Sequence, residues 1–176
     1  MFLENENIHL RPLEPEDLDL LYAWENDTNV WNVSNTIAPY SRYVLKQYLE
    51  NSHKNIFETG QLRLVIEDKN NKRAIGTVDL FDFDPMHSRI AFGILIYAET
   101  DRQQGFATSS LNLIIDYCFN ILQLHQIYCN VDENNVKSIN MLKNVGFEIA
   151  GIKKQWIKTT KGWQNEILLQ IISLKS

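Results

Sequence analysis

One polar loop in the sequence has the residue types that bind an anion. The apolar run 92–97 ends in the polar segment 98–105, and an apolar-periodic run begins again at Phe106. This pattern is typical of a strand, a tight loop and a helix. The first amides of a helix have no partner within the helix and lie at the positive end of its dipole, so they suit a phosphate group. Gly105 has no Cβ atom to obstruct a ligand, and Arg102 adds a positive charge with several donors.

The same motif has an explanation without a ligand. Arg102, Gly105 and Ala107 form the short pattern Arg-x-x-Gly-x-Ala, and short glycine motifs occur by chance. A plain strand-to-helix connection that turns at a glycine would contain the same residues. The loop alone therefore leaves phosphate binding and a simple connection as open alternatives.

The composition indicates one globular domain without a metal site. The chain has 176 residues, of which 44% are hydrophobic, and we expect a single domain over 1–176. The net charge of −5 disfavours nucleic-acid binding, which needs a basic surface, and is compatible with a cationic substrate. Cys118 and Cys129 form no CxxC pair and no histidine has metal-ligand spacing, so both cysteines are expected in the core. The sequence has no secretory signal and no stretch of transmembrane length, which predicts a cytoplasmic protein without membrane contact.

Apolar patterning predicts a mixed α/β fold with the element order β-α-α-β-β-β-α-β-α-β-β. The predicted strands cover 8–11, 62–67, 74–83, 89–97, 127–131, 147–156 and 163–172, and the predicted helices cover 15–26, 43–58, 106–122 and 135–144. Ser41 is a predicted N-cap, Gly60 and Gly146 are predicted helix ends, and Gly76 is a candidate bulge. Segment 26–39 has no clear period and is predicted as a loop that has room for a short helix.

Two motifs in this element order carry a family resemblance. They are Arg102-x-x-Gly105-x-Ala107 at the head of one helix, and Val131-x-x-x-Asn135-x-x-Ser138 with Gly146-Phe147 around the next. Together they resemble the GCN5-related N-acetyltransferases (GNAT). The opening Leu10-Arg11-Pro12-Leu13 and the strand Ile75-Gly76-Thr77-Val78-Asp79-Leu80 resemble a subgroup that contains ribosomal-protein N-terminal acetyltransferases and spermidine or diamine acetyltransferases.

The resemblance implies a twisted, mostly antiparallel sheet in which two neighbouring parallel strands splay apart and hold acetyl-CoA. Those strands would be 90–97 and 127–131. The pantetheine arm would pair with backbone groups of the first strand, and the pyrophosphate would bind the loop and the helix start. The implied cofactor-binding residues are Ile94, Leu95, Ile96, Arg102, Gln103, Gln104, Gly105, Phe106, Ala107, Thr108 and Asn135.

The resemblance also implies direct transfer of an acetyl group from acetyl-CoA to a primary amine. Because transfer is direct, neither cysteine is assigned a role, but the leaving thiolate must gain a proton. Many family members supply it from a tyrosine four residues before the Gly-Phe pair, where this chain has Leu142. Some ribosomal-protein-type members use a serine one helical turn earlier, where this chain has Ser138. A capping or surface serine is the alternative for Ser138, with water or Tyr97 as the other donors.

The amine must also lose a proton, because an alkylammonium has no lone pair and its pKa is about 10. Candidate bases are Asp79 and Asp82, on or near the strand beside the cleft, and Glu99 at the mouth of the cofactor loop. In a regular strand Asp79 and Asp82 would lie on opposite faces. Each could instead be a solvated charge, with water relaying the proton. Related enzymes often have an acid two residues before Gly93, where this chain has Ala91.

The acceptor pocket is expected between the first two helices and the last hairpin, with Trp31, Tyr40, Trp156 and Trp163 as candidate walls and core packing as their alternative. Spermidine-type members have clustered acids between the first two helices, but segment 30–37 has none, and a polycation needs carboxylates. The sequence therefore favours a protein N-terminus or a small amine as acceptor. The alternatives are spermidine or a diamine, and a CoA-binding module without catalysis. Family members often pair, so a homodimer is a further expectation.

Overall fold

The fold, seen here in a computed structural model, is a single seven-stranded sheet with helices on both faces. The structure describes residues 3–34 and 36–174, and for Asn32 and Val33 it describes the backbone only. The strands are β1 Ile8–Pro12, β2 Leu62–Asp68, β3 Arg73–Asp84, β4 Arg89–Ile96, β5 Gln126–Asp132, β6 Glu148–Thr159 and β7 Gly162–Ile172. Their order is β1-β2-β3-β4-β5-β7-β6, and every neighbouring pair is antiparallel except β4 and β5. The predicted mixed α/β fold is confirmed.

Helices cover the two faces of this sheet. They are α1 Leu18–Glu25, α2 Trp31–Ser34, α3 Arg42–Glu50, α4 Ile56–Thr59, α5 Phe106–Asp116 and α6 Val136–Val145. A 3-10 turn precedes α1, another precedes α5, and a π-helical turn, Tyr117–Ile121, extends α5. Helices α1 and α3 pack over Val65, whereas α5 and α6 pack over Leu64 and Ile66. Because side chains alternate between the two faces along β2, this strand contributes to two hydrophobic cores, one on each face of the sheet.

One predicted helix, 43–58, is two helices in the structure. Helix α3 begins with the predicted N-cap Ser41, whose hydroxyl accepts the Val44 N–H, but it ends at Glu50. There the Asn51 amide and the Ser52 hydroxyl donate to backbone carbonyls of the last turn and compete with continued helix bonding. Asn55 then starts α4 with a reciprocal capping box that includes Glu58. The predicted stop at Gly60 is confirmed, at φ +71°.

The other sequence-based boundaries hold closely. The predicted loop 26–39 contains the short helix α2, and Asn35 within it lies outside the described residues. Gly146 ends α6 at φ +114°. The bulge expected near Gly76 is present, because the β2–β3 register gains one residue at Ile75.

Both cysteines are core residues, as expected. Cys118 and Cys129 are buried, and burial raises the pKa of each thiol to about 12. At neutral pH they are therefore protonated and unreactive. Within residues 3–34 and 36–174, no helix has both the length and the apolar character needed to cross a membrane.

Candidate functional site

A gap opens in the sheet between the two parallel strands. Strands β4 and β5 pair only through Arg89–Gln126, Ile90–Ile127 and Ala91–Tyr128. From Phe92 onward β4 has no strand partner on this edge among residues 3–34 and 36–174, because β5 continues its pairing with β7 alone. The Phe92 ring packs against Phe147, with centroids 5.6 Å apart, and so lines the start of the gap. The expected splay of these strands is present, and it leaves main-chain groups that can pair with an extended ligand.

Only alternate residues of β4 present main-chain groups to this gap. The Tyr97 N–H donates to the Ile75 carbonyl, and the Leu95 carbonyl lies against Gly76, so both face β3. Since backbone groups alternate sides along a strand, those of Ile94 and Ile96 face the gap. Three strand residues were predicted to bind the cofactor. The main chain of Leu95 is turned away, that of Ile94 faces the gap with both groups, and Ile96 has only its N–H free, because its carbonyl accepts from Arg102.

The loop that follows β4 leads into a helix whose first turn has no side-chain cap in the described part of the chain. Gly105 is the N-cap of α5 at φ +82°, and a Cβ placed there would meet no atom within 4 Å. The first helical bond runs from the Ser109 N–H to the Gly105 carbonyl, at 2.9 Å. Within the described part of the chain, the N–H groups of Phe106, Ala107 and Thr108 have no acceptor. Free amides, the positive helix end and open space above Gly105 fit a phosphate group.

Two arginines hold this loop in place. Arg102 turns back and donates to the Ile96 and Tyr97 carbonyls at 3.0 and 3.1 Å, so it fastens the loop to the end of β4. Asp101 is only 2% exposed, and its carboxylate accepts hydrogen bonds from two nitrogens of Arg73, at the start of β3. Sequence reasoning missed this pair, because its partners are 28 residues apart and no local pattern connects them.

Helix α6 places Ser138 on its inward side. Asn135 caps the helix, and its Oδ1 accepts the Ser138 N–H at 3.3 Å. Ser138 lies four residues before Leu142, which is 2% exposed in the core, so both lie on one helix face. Ser138 is half-buried, and its hydroxyl has no hydrogen-bond partner among the described residues. In the described part of the chain, the Ser138 hydroxyl and the Asn135 side-chain NH2 group therefore have no partner, whereas the Asn135 oxygen is used in the cap.

A cleft of about 180 Å³ lies under α1 and α3, on the face of the sheet opposite to α5 and α6. Its lining residues are Glu25, Tyr40, Val44, Leu45, Tyr48, Gln61, Arg63 and Asp79. In the strand register Asp79 pairs with Arg63 on one side and Gly93 on the other, and Gly93 directly follows Phe92. The cleft therefore borders β4 where the gap opens.

The floor of the cleft is an ion cluster. Arg63 donates to both oxygens of Asp79, at 2.5 and 3.2 Å, and to one oxygen of Glu25. Burial disfavours the charged guanidinium, but the Asp79 and Glu25 carboxylates outweigh this cost and raise the pKa of Arg63. The guanidinium also lies 5.7 Å from the centroid of the Tyr48 ring. Asp79, a candidate base in the sequence, is thus engaged at both oxygens by an arginine.

Glu25 and Arg63 were not found by sequence reasoning. Glu25 reads as the last residue of an amphipathic helix, and Arg63 as the polar side of an alternating strand. Only the packing of α1 against β2 brings them together across 38 residues. Two charged residues that look solvated in sequence are in fact 11% and 22% exposed at their side chains.

The other predicted acids lie away from the cleft lining. Glu99 is exposed in the 3-10 turn before the cofactor loop. Asp82 is exposed, with φ at +49°, in the irregular stretch where the β3–β4 register shifts. The strand is therefore not regular at Asp82, and the expectation of opposite faces does not apply there.

The aromatic candidates separate into three groups. Tyr40 lines the cleft, and the Trp31 indole donates to the Glu25 carbonyl at 2.9 Å, which steadies the end of α1. Trp156 and Trp163 are each 60% exposed on the last hairpin. Tyr97 stacks on Trp24, with centroids 4.2 Å apart, and burial raises the pKa of its hydroxyl to about 12.

Comparisons with known proteins agree with this geometry. Residues 7–148 match the family model described as acetyltransferase (GNAT) domain. Spermidine N(1)-acetyltransferase of Escherichia coli K12 is 32% identical over 145 residues, which cover 82% of this chain and 75% of that protein. Spermidine N-acetyltransferase of Vibrio cholerae, solved with CoA and spermine, superposes with a TM-score of 0.82 at 30% identity, covering 96% of each chain. A dodecameric structure of the V. cholerae enzyme in an intermediate state has a TM-score of 0.77, also at 30% identity, over 96% of this chain and 95% of that one.

Proposed function

This chain belongs to the GNAT acetyltransferase family, and we propose that it transfers the acetyl group of acetyl-CoA to a primary amine of a polyamine such as spermidine. This acceptor was the alternative in the sequence analysis. It is preferred now because relatives over most of the chain are spermidine acetyltransferases. No comparison supports a protein N-terminus as the acceptor.

The missing acids of segment 30–37 no longer count against a polyamine. The cleft has its carboxylates from other elements, Glu25 at the end of α1 and Asp79 on β3. Asp79 is paired with Gly93, where the gap for the cofactor opens, and Glu25 is linked to Asp79 through Arg63. This juxtaposition of an anionic cleft and an open strand edge is the observation that carries the proposal.

The described residues fit acetyl-CoA as the cosubstrate. Its thioester supplies the acetyl group. Ile94 offers its N–H and carbonyl, and Ile96 its N–H, to an extended arm. The amides of Phe106, Ala107 and Thr108 offer an anion site for its pyrophosphate. Asn135 is the exposed N-cap of α6, and its side-chain NH2 group is a further candidate donor to the arm. In the loop between the two sites, Gln103 has a positive φ of +65°, and the Gln104 and Arg102 side chains donate to loop and strand carbonyls.

The proposed chemistry is direct attack of the amine nitrogen on the thioester carbon. One ammonium proton passes to water before the attack, then the C–N bond forms and the C–S bond breaks. Glu25 holds the incoming ammonium, and the Ser138 hydroxyl gives a proton to the leaving sulfur. The nitrogen loses its second proton as the amide forms, and that proton restores the Ser138 hydroxyl through water. Asp79 positions Arg63 and takes no proton, because Arg63 occupies both of its oxygens. Glu99 is exposed and has no assigned step.

Two further expectations stay predictions. We propose that 1–176 is one domain, since one continuous sheet joins β1 to β6. We also propose self-association, and the V. cholerae enzyme is dodecameric.

Release of free CoA thiol with an amine panel tests the function. The panel holds spermidine, spermine, 1,4-diaminobutane and a peptide with a free N-terminus. We expect turnover of the polyamines, with a KM that rises at least tenfold in Glu25→Gln and stays unchanged in Glu50→Gln, an exposed acid at the end of α3. Turnover of the peptide with no turnover of any polyamine would overturn the acceptor. Binding of CoA without turnover of any amine would favour the non-catalytic alternative.

A further inference from the structure

The cleft contains its own cation. Arg63 lies between Glu25 and Asp79 and bonds to both, with 22% of its side chain exposed. A guanidinium in that position occupies the place that a substrate ammonium would otherwise take between the two carboxylates. Arg63 therefore does more than hold the structure together. Its charge sets how much negative charge the cleft can offer a cationic acceptor.

The remaining charge is that of a single carboxylate. Glu25, Asp79 and Arg63 are the charged residues that line the cleft, and one guanidinium against two carboxylates leaves a net charge of minus one. The bonds show where that charge is available. Both oxygens of Asp79 accept hydrogen bonds from Arg63, whereas only Oε1 of Glu25 does. The Glu25 Oε2 has no donor among the described residues.

The lining of the cleft agrees with this count. Tyr40 and Tyr48 supply aromatic surface beside the charges, which suits an ammonium and its alkyl stem. With one uncompensated carboxylate, the cleft offers a charge partner to a single ammonium of a longer acceptor.

We propose that Arg63 is a specificity-determining residue, which cancels one carboxylate charge so that the cleft binds one ammonium group of the acceptor, at Glu25, and leaves its other amines outside. This inference rests on the proposed function. It predicts that the cleft by itself distinguishes poorly between a monoamine and a diamine of equal length. It also predicts that removing the arginine charge creates that distinction.

The test uses variants that change the net charge of the cleft stepwise, and it compares their affinities for butylamine and 1,4-diaminobutane. Both amines compete with spermidine, and their inhibition constants are measured on the full-length protein at low salt. In the wild type we expect the two constants to agree within about threefold. In Arg63→Met both carboxylates are free, and we expect the diamine to gain about tenfold over the monoamine. In Arg63→Met/Asp79→Asn the net charge returns to minus one, and the ratio should return to that of the wild type.

Asp79→Asn tests the same charge in the other direction and covers the case that Arg63→Met does not fold. Its cleft is neutral, so both amines should weaken about tenfold together. An unchanged ratio in folded Arg63→Met, a double variant that keeps the Arg63→Met ratio, or unchanged binding in Asp79→Asn would each overturn the inference. Failure of the wild type to acetylate spermidine is a different result, and it would overturn the proposed function instead.

Discussion

Ser138 and Leu142 lie four residues apart on one face of α6, and only Leu142 is sealed in the core, at 2% exposed. The side chain at 142 cannot donate a proton, and the Ser138 hydroxyl one turn earlier has no partner in the described part of the chain. We therefore propose position 138 as the place from which this helix delivers a proton to the gap.

We predict that Ser138→Ala lowers kcat about 100-fold and leaves the Kd of CoA within about twofold, because a proton donor acts on the chemical step and contributes little to binding. Steady-state kinetics with spermidine, together with calorimetric titration of CoA, separates the two effects. Ser138→Thr retains a hydroxyl and should keep most of the activity. A kcat that is unchanged in Ser138→Ala would assign the proton to water or to Tyr97.

The open space above Gly105 gives a second prediction, with a matched control in the same chain. Gly105→Glu should weaken CoA binding at least 100-fold, because a carboxylate would lie beside the free amides of α5 and repel the pyrophosphate. Gly60→Glu is the control. Gly60 also has positive φ, +71° against +82°, and also has no atom within 4 Å of a Cβ, but it ends α4 away from the gap. Equal loss of binding in both variants would contradict a phosphate site at Gly105.

The third prediction concerns the ion pair of the buried Asp101 with Arg73, which holds the loop before α5 in place. Asp101→Asn removes the charge that pairs with Arg73, so the loop must become ordered when the cofactor binds. We expect the Kd of CoA to rise about tenfold, with kcat at saturating acetyl-CoA nearly unchanged. Asp84→Asn is the control, since Asp84 pairs with Arg89 near the other end of β4, outside the loop. A fall in kcat without a change in Kd would show that Asp101 acts elsewhere.

Features that depend on neighbours in sequence could be predicted well. Ser41, Gly60, Gly105 and Gly146 each mark a helix boundary through backbone conformation or a side-chain cap, and such effects are local. The break between α3 and α4 is also local in cause. It was missed because apolar periodicity was given more weight than the run of Asn and Ser side chains that competes with helix bonds.

The charge cluster of the proposed acceptor cleft could not be predicted in the same way. Its charges come from α1, β2 and β3, and Arg63 meets Asp79 and Glu25 across 16 and 38 residues. In sequence each of these side chains has the position of a solvated charge. The burial of the cluster is a product of tertiary packing alone.

The last prediction concerns stability at acidic pH and the buried Asp17. Burial alone would raise the pKa of Asp17, but hydrogen bonds from Arg11 and from the Glu14 N–H outweigh it and hold the pKa below its ordinary value. The folded state therefore prefers the ionised carboxylate. Its contribution is complete above the unfolded pKa of about 4 and is lost as the pH falls through the lower folded pKa.

Asp17→Asn should consequently lower the free energy of unfolding by about 1–3 kcal/mol at neutral pH, and the difference from the wild type should shrink as the pH falls below about 4. Urea unfolding at a series of pH values measures that difference. Asp19→Asn is the control, because Asp19 is 83% exposed in a surface pair with Arg42, and we expect less than about 0.5 kcal/mol at any pH. A difference for Asp17→Asn that stays constant down to about pH 2 would mean that the loss comes from packing rather than from the charge, since only the charge is titrated away in the wild type.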